Sequence, residues 1–222
     1  MWRDAALVAG KDLRIELRSR VALWQVLPVA LLSLVLYAFA LGPARHTLAS
    51  AAPGLFWLAV LFSAVLATQR SFAIESGEGT RDQLRVTGID PGGVFLGKAA
   101  AVAAELGVLQ VILWAAMTLL FGVHVRVPWL AVVTSLLATV GIAAAGTLYG
   151  ALSAGLRVRE TLLPLLVLPV LAPVLLAASR AWAGALSGSV SSGESWLRVL
   201  GPFAAVYLVV GIVLYGPLLE AT

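Results

Sequence analysis

Cysteine is absent from the 222 residues. That excludes a disulfide framework and any thiolate metal site. Charge is scarce: Asp, Glu, Lys and Arg make up 12% of the chain, against roughly a quarter of an ordinary soluble domain. No Gly-x-x-x-x-Gly-Lys-Ser/Thr loop occurs, so no backbone cradle for nucleotide phosphates is encoded. Nor does any apolar run hold paired carboxylates, a His–Glu metal set or a Ser–His pair, which argues against an intramembrane enzyme. What fills the chain instead is apolar: 61% of residues are hydrophobic and the mean hydropathy is +0.99. A chain of this size cannot hide so much apolar surface in a water-surrounded core, so lipid must be the solvent for much of it.

Six runs approach the roughly 20 apolar residues that cross a hydrocarbon layer. They lie at about 21–41, 48–68, 99–121, 128–148, 162–178 and 199–219. Helices are expected, because backbone groups in lipid must be satisfied within the segment, and the alternation of a membrane β-barrel is missing. The first run begins at Val21 behind about twenty charge-rich residues, too long a leader for a cleavable signal peptide, so it is expected to remain as a span. The connections on one side (1–20, 69–98, 153–161, 220–222) hold 11 Lys and Arg residues, and those on the other (42–47, 122–127, 179–198) hold 4. The positive-inside rule then places both termini in the cytoplasm. Trp129 and Trp196 fall at outer helix ends, where interfacial aromatics are common.

Several stretches carry more than hydropathy. In residues 1–20, Trp2, Ala6, Ala9, Leu13 and Leu17 share one helical face, while Arg3, Lys11, Arg14 and Arg18 gather on another. This pattern predicts an amphipathic helix in the cytoplasmic interface, with its basic face near anionic headgroups. The longest cytoplasmic connection, about 69–90, has mixed charge, hinges at Gly77 and Gly79, and a short helix-capable piece from Thr80 to Val86. Thr80 is placed to cap it, with Asp82 and Gln83 in the first turn. The fifth run carries Pro164, Pro169 and Pro173. The last two, four residues apart, free backbone carbonyls and bend a helix, as a gate or as a static kink. Glu105 is the single carboxylate set inside a span, in a structural or a pathway role. Lys98, one face and seven residues earlier, is expected to snorkel to the cytoplasmic edge. The small residues from Gly141 to Gly150 suit close helix packing, within the subunit or across a dimer.

Four features in order give the chain its resemblance. An Ala52-Pro53-Gly54 step precedes Trp57; Gly79-Thr80-Arg81-Asp82-Gln83-Leu84 follows seven residues after Phe72; Lys98 opens the third run; and Leu166-Val167-Leu168-Pro169 with Pro173 builds the fifth. With the length, the six runs and the basic amphipathic start, the chain resembles the haem exporter protein B (CcmB) family, the ABC-2-type permease subunit of the cytochrome c maturation transporter. The resemblance extends over essentially the whole chain and is weakest on the outer loops. It implies an all-α integral membrane permease in the bacterial cytoplasmic (inner) membrane. It implies no catalytic residues and no bound metal, with ATP held and hydrolysed by a separate ABC ATPase subunit. Implied partners are that ATPase, a second permease copy, a haem-handling membrane protein and a haem chaperone; no nucleic acid is expected. Haem is then the possible cargo, or ATP hydrolysis releases the haem-loaded chaperone and no haem crosses this subunit.

Within that frame, Glu75, Glu78, Gly79, Thr80, Asp82, Gln83 and Leu84 are the candidate ATPase-coupling residues. His46 and His124, in outer turns, are candidate haem ligands because haem iron often takes an axial histidine; otherwise they are solvated loop residues. The competing class is another ABC-2 permease, for a lipid, a drug or a polysaccharide. An ion-coupled carrier would need several intramembrane ionisable groups, and Glu105 stands alone.

Overall fold

The computed structural model describes residues 1–19, 25–42, 45–77, 90–153 and 159–221, and over these the chain is helical. Its elements are α1 (Trp2–Ser19), α2 (Leu27–Ala40), α3 (Arg45–Gly77), α4 (Pro91–Phe121), α5 (Pro128–Ser153), α6 (Arg159–Ser187) and α7 (Val190–Ala221). Five of them, α3 to α7, are long and apolar enough to cross a membrane. The fourteen residues of α2 rise only about 21 Å, less than a hydrocarbon layer of roughly 30 Å, and the residues leading into it, 20–24, lie outside the described set.

The helices overrun the apolar runs that announce them. α3 continues past Thr68 to Gly77, and α4 starts at Pro91 rather than near Ala99. Asp90 sets that start. Its side chain accepts a hydrogen bond from Gly93 N at 2.7 Å, and Pro91 follows at the first helical position, where its missing N–H costs nothing. At the other end, residues 179–198 are helical apart from a turn at Gly188 and Ser189. Gly188 takes a φ of +85°, open to glycine at little cost, and the N–H groups of Gly188 and Ser189 both donate to Gly184 O at 3.0 Å. Hydropathy marks where helix meets hydrocarbon; capping and turn chemistry decide where helix ends.

α3 lies in the middle, against α2, α4, α5 and α6, and α7 closes the bundle against α4, α5 and α6. The main core gathers around an aromatic group. The Phe56 and Trp182 rings stack at 4.1 Å between centroids, and Trp57 and Trp114 stand edge-on to Trp182 at 6.3 and 6.4 Å. Trp182 Nε1 donates to Ala131 O and to Ser135 Oγ at 3.3 and 3.2 Å, so its one donor is satisfied inside the apolar layer. The small residues of α5 serve packing within the subunit. A Cβ on Gly146 would meet Thr68 Oγ1 at 2.8 Å, one on Gly150 would collide with the Phe72 ring, and one on Gly141 would touch Phe203 at 3.3 Å.

A second, smaller core holds Val8, Phe72, Val94, Phe95, Leu148 and Tyr215, at the end of the bundle where α1 packs on α4. The Phe95 ring sits directly over Gly211, and a Cβ on Gly216 would meet Pro91 at 3.6 Å. The C-terminal half of α7 therefore lies at the same end as α1 and the start of α4. The main-chain path runs up and down between the two ends.

α1 has three faces, each about a third of a turn wide at roughly 100° per residue. Ala5 and Val8 are buried against α4, where glycine permits close approach: a Cβ on Gly97 would sit 2.7 Å from both Ala5 O and Val8 Cβ. Asp12 and Glu16 share this bundle-facing side. Trp2 and Leu17 are each 75% exposed on the second face, and Arg3, Arg14 and Arg18 are exposed on the third.

Candidate functional site

Where α1, α3 and α4 meet, charges that each helix could not bury alone are brought together. The Arg70 guanidinium on α3 donates to both carboxylate oxygens of Glu16 on α1, at 3.1 and 2.8 Å. Its Nη1 also lies 3.9 Å from Glu105 Oε1 on α4. Lys98 Nζ is 3.6 Å from Asp12 Oδ2, 3.5 Å from Ser71 Oγ and 5.0 Å from the Phe72 ring centre. A cavity of about 40 Å³ opens between Asp12, Glu16, Arg70 and Glu105.

The expectation that Lys98 snorkels is corrected here. Its side chain is 1% exposed, because α1 lies across it and supplies Asp12 as its counter-ion. A cation enclosed by a carboxylate, a hydroxyl and an aromatic face has no need to reach water. Glu105, a lone carboxylate in the sequence, faces Arg70 rather than Lys98, with its Oε1 lacking a hydrogen-bond partner among the described residues. The sequence signal for this cluster is an acidic stripe: Asp12 and Glu16 stand four apart on the helix that also carries the basic face, and Arg70 follows the second apolar run by two positions. Spacing shows that stripe; it does not show that α1 docks with it inward.

The candidate coupling residues divide. Glu75 is in the last turns of α3. Glu78, Gly79, Thr80, Asp82, Gln83 and Leu84 lie outside the described residues, as does the expected helix from Thr80 to Val86. The segment that contains them joins the end of α3 to the start of α4, the end of the bundle that holds the charge cluster. Pro169 and Pro173 lie within a continuous α6 and are exposed on its outward face. The backbone stays helical across them, as helices in a membrane allow where neighbouring groups re-satisfy the freed carbonyls.

Two cavities lie away from the charge cluster. One, of about 390 Å³, opens sideways between α4 and α5 over the aromatic group; beside it Gln110 Nε2 donates to Thr139 Oγ1 at 2.7 Å. The other, of about 730 Å³, is at the end of the bundle opposite α1, lined by the start of α3, the α4–α5 loop and the α6–α7 turn. His124 lines this second cleft. His46 is in the first turn of α3, and its side chain is outside the described set. Among the described residues no cluster of three His, Cys, Asp or Glu is arranged to hold a metal ion.

Five helices long and apolar enough to cross a membrane, with α1 ion-paired to their side, define a multi-pass helical membrane protein. The particular family follows from comparison: residues 4–216 match the family model described as CcmB protein, and the chain belongs to that family. It is 33% identical over 172 residues to heme exporter protein B of Haemophilus influenzae, with 78% of each chain covered. To the protein of that name from Rhodobacter capsulatus it is 34% identical over 172 residues, covering 75% of this chain and 77% of the relative. To that from Pseudomonas aeruginosa it is 28% identical over 200 residues, with 90% of each covered.

Proposed function

We propose that this chain is the membrane component of a haem export system, the permease subunit of an ABC transporter in cytochrome c biogenesis. The observation that carries the proposal is the family match along 4–216 together with relatives named heme exporter protein B. On this reading the chain is not itself an enzyme. A separate ATPase subunit hydrolyses ATP, and the permease converts that work into export of haem or release of the haem-loaded chaperone. It sits in the bacterial inner membrane as six spans with both termini inside, paired with a second copy and with the haem-handling membrane protein.

The charge cluster supports a specific coupling route. The 78–89 segment links α3 to α4, and both helices are ion-paired to α1, through Arg70 to Glu16 and Lys98 to Asp12. A push on the segment by a docked ATPase acts on both helices at once, and α1 must follow. Glu75, Glu78 and Asp82 present charge to a basic groove on the ATPase, and Gly79 allows a close approach. In this scheme Arg70 and Lys98 are positioning residues.

The test is co-purification of the ATPase with tagged permease at matched membrane levels. Reversing charge at Glu75 and Glu78 together is expected to weaken association without removing the protein from the membrane; surface ion pairs are individually worth little, so the double change is the fair one. Reversal at Arg157 and Arg159 serves as the comparison. Intact association after the first change and loss after the second would place coupling on the other connection. If no ATPase of the cytochrome-maturation system associates but one from a lipid, drug or polysaccharide exporter does, the alternative ABC-2 reading replaces this one.

A further inference from the structure

The cleft at the end opposite α1 has a composition that the coupling scheme does not use. Its charged side chains are of one sign: Arg126 from the α4–α5 loop and Arg180 from α6 line it beside His124, and no carboxylate does among the described residues. Apolar surface faces them from Pro53, Leu186 and Trp196. Its volume, about 730 Å³, falls in the range of roughly 300–1,000 Å³ typical of small-molecule sites.

The walls are built, not incidental. Arg126 N and Val127 N both donate to Ala185 O at 3.0 Å, which pins the loop to the end of α6. Arg126 Nη1 donates to Ser187 O at 3.3 Å. Gly188 takes the turn at a φ of +85°, and the Arg126 side chain packs against it. At the turn, Gly184 and Gly193 approach so closely that a Cβ on Gly184 would be 2.9 Å from the Gly193 backbone. An arginine has five N–H donors in a fixed fork, and one carbonyl occupies only part of that set at Arg126.

We propose that this cleft binds an amphipathic anion, with a carboxylate or phosphate group held by Arg126 and Arg180 and the apolar body laid against Trp196, Pro53 and Leu186. Guanidinium forks match the two oxygens of either group, and an indole beside them accepts a flat or aliphatic body. The shared chemistry is an anionic head on an apolar body, and it has two sources: the phosphate head of a membrane lipid, or the propionates of haem. The lipid source stands on charge and shape alone; the haem source rests also on the proposed function.

The experiment uses the full chain purified in neutral detergent, with two probes in separate arms. Haem binding is titrated by difference absorption, and phosphatidylglycerol retention is compared with phosphatidylethanolamine by native mass spectrometry. Saturable binding is expected in at least one arm, and that arm identifies the source. Arg180→Gln and Arg126→Gln should each raise the Kd roughly tenfold, the scale of a lost charge-assisted bond. Arg198→Gln, on the exposed side of α7 and not in the cleft wall, should leave it unchanged. Arg180→Gln guards against misfolding, because Arg180 is exposed and carries no contact that holds the turn together, whereas Arg126 does. Absence of saturable binding in both arms overturns the proposal. So does an unchanged Kd in both cleft variants, or an equal loss in Arg198→Gln, which would reduce the effect to diffuse surface charge.

Discussion

Arg70 and Glu16 meet as two parallel hydrogen bonds of 3.1 and 2.8 Å between helices that are 54 residues apart in sequence. Both side chains are about one-fifth exposed, 21% and 20%. The pair is the firmest tie between α1 and α3, and Arg70 has a second carboxylate, Glu105, at 3.9 Å.

That sharing makes the two ends of the pair unequal. Arg70→Ala leaves Glu16 and Glu105 facing one another across a small cavity with their shared cation gone, whereas Glu16→Gln leaves Arg70 with Glu105 still beside it. Arg70→Ala is therefore expected to be the more destabilising, by about 2–3 kcal/mol against about 1 for Glu16→Gln, below the 3–5 kcal/mol typical of a fully buried pair. Thermal unfolding in detergent measures both. Glu105→Gln should change stability differently in the Arg70→Ala background than in the parent, because Arg70 Nη1 lies 3.9 Å from Glu105 Oε1; equal effects in the two backgrounds would mean that Glu105 and Arg70 do not interact.

Glycines on α4 give a steric test of α1 docking. A Cβ on Gly97 would lie 2.7 Å from Ala5 O and Val8 Cβ, while one on Gly107 meets nothing within 4 Å. Gly97→Val should push α1 off the bundle and raise the rate at which protease cuts within residues 1–19. Gly107→Ala should be neutral or stabilising by up to ~1 kcal/mol through helix propensity. Equal protease resistance in the Gly97→Val protein and the parent would disprove the close packing of α1 on α4.

How much of this was legible in the sequence varies by element. The apolar runs of α3, α5 and α7 announced all-helical membrane-spanning structure, since lipid leaves the backbone little choice. Their ends were not legible from hydropathy. Asp90 and Pro91 start α4 eight residues ahead of its apolar run, and the Gly188–Ser189 turn replaces what composition suggests is a long outer connection. The docking face of α1 was hidden for a different reason. Asp12 and Glu16 look solvated on a helical projection, and the tertiary placement of Lys98 and Arg70 gives them partners on other helices. The outer cleft was hidden likewise, because His124, Arg126, Arg180 and Trp196 come from three separate stretches of chain.

Topology is open to labelling, helped by the absence of native cysteine. The charge count puts α1 inside and the α6–α7 turn outside. Ser189→Cys and His124→Cys, at exposed positions on one end of the bundle, should react with an impermeant thiol reagent added to intact cells. Lys11→Cys, exposed on α1 at the other end, should react only after permeabilisation. Reaction of Lys11→Cys in intact cells would invert the orientation.

The two prolines of α6 allow the sharpest separation of a kink from a gate. Pro169 and Pro173 are four residues apart, so the nitrogen of Pro173 would ordinarily donate to the carbonyl of Pro169, and that bond is missing. Both rings are exposed on the outward face of a continuous helix, and the buried residues of the same stretch, Val167, Leu171 and Val174, face the core. A ring on the outward face cannot itself block a path through this subunit; it acts through the helix that carries it. Alanine at 173 would restore a donor to the Pro169 carbonyl and remove a clash without uncovering a core contact. Pro173→Ala should therefore fold and reach the membrane at the parent level, with a melting temperature equal to or above that of the parent. If the bend is static, ATP-driven activity of the assembled complex, per folded permease, should stay within about twofold of the parent, since nothing lining the core has changed. Normal folding with turnover cut tenfold or more would show that α6 must flex at this point during the cycle. The static reading would then be wrong.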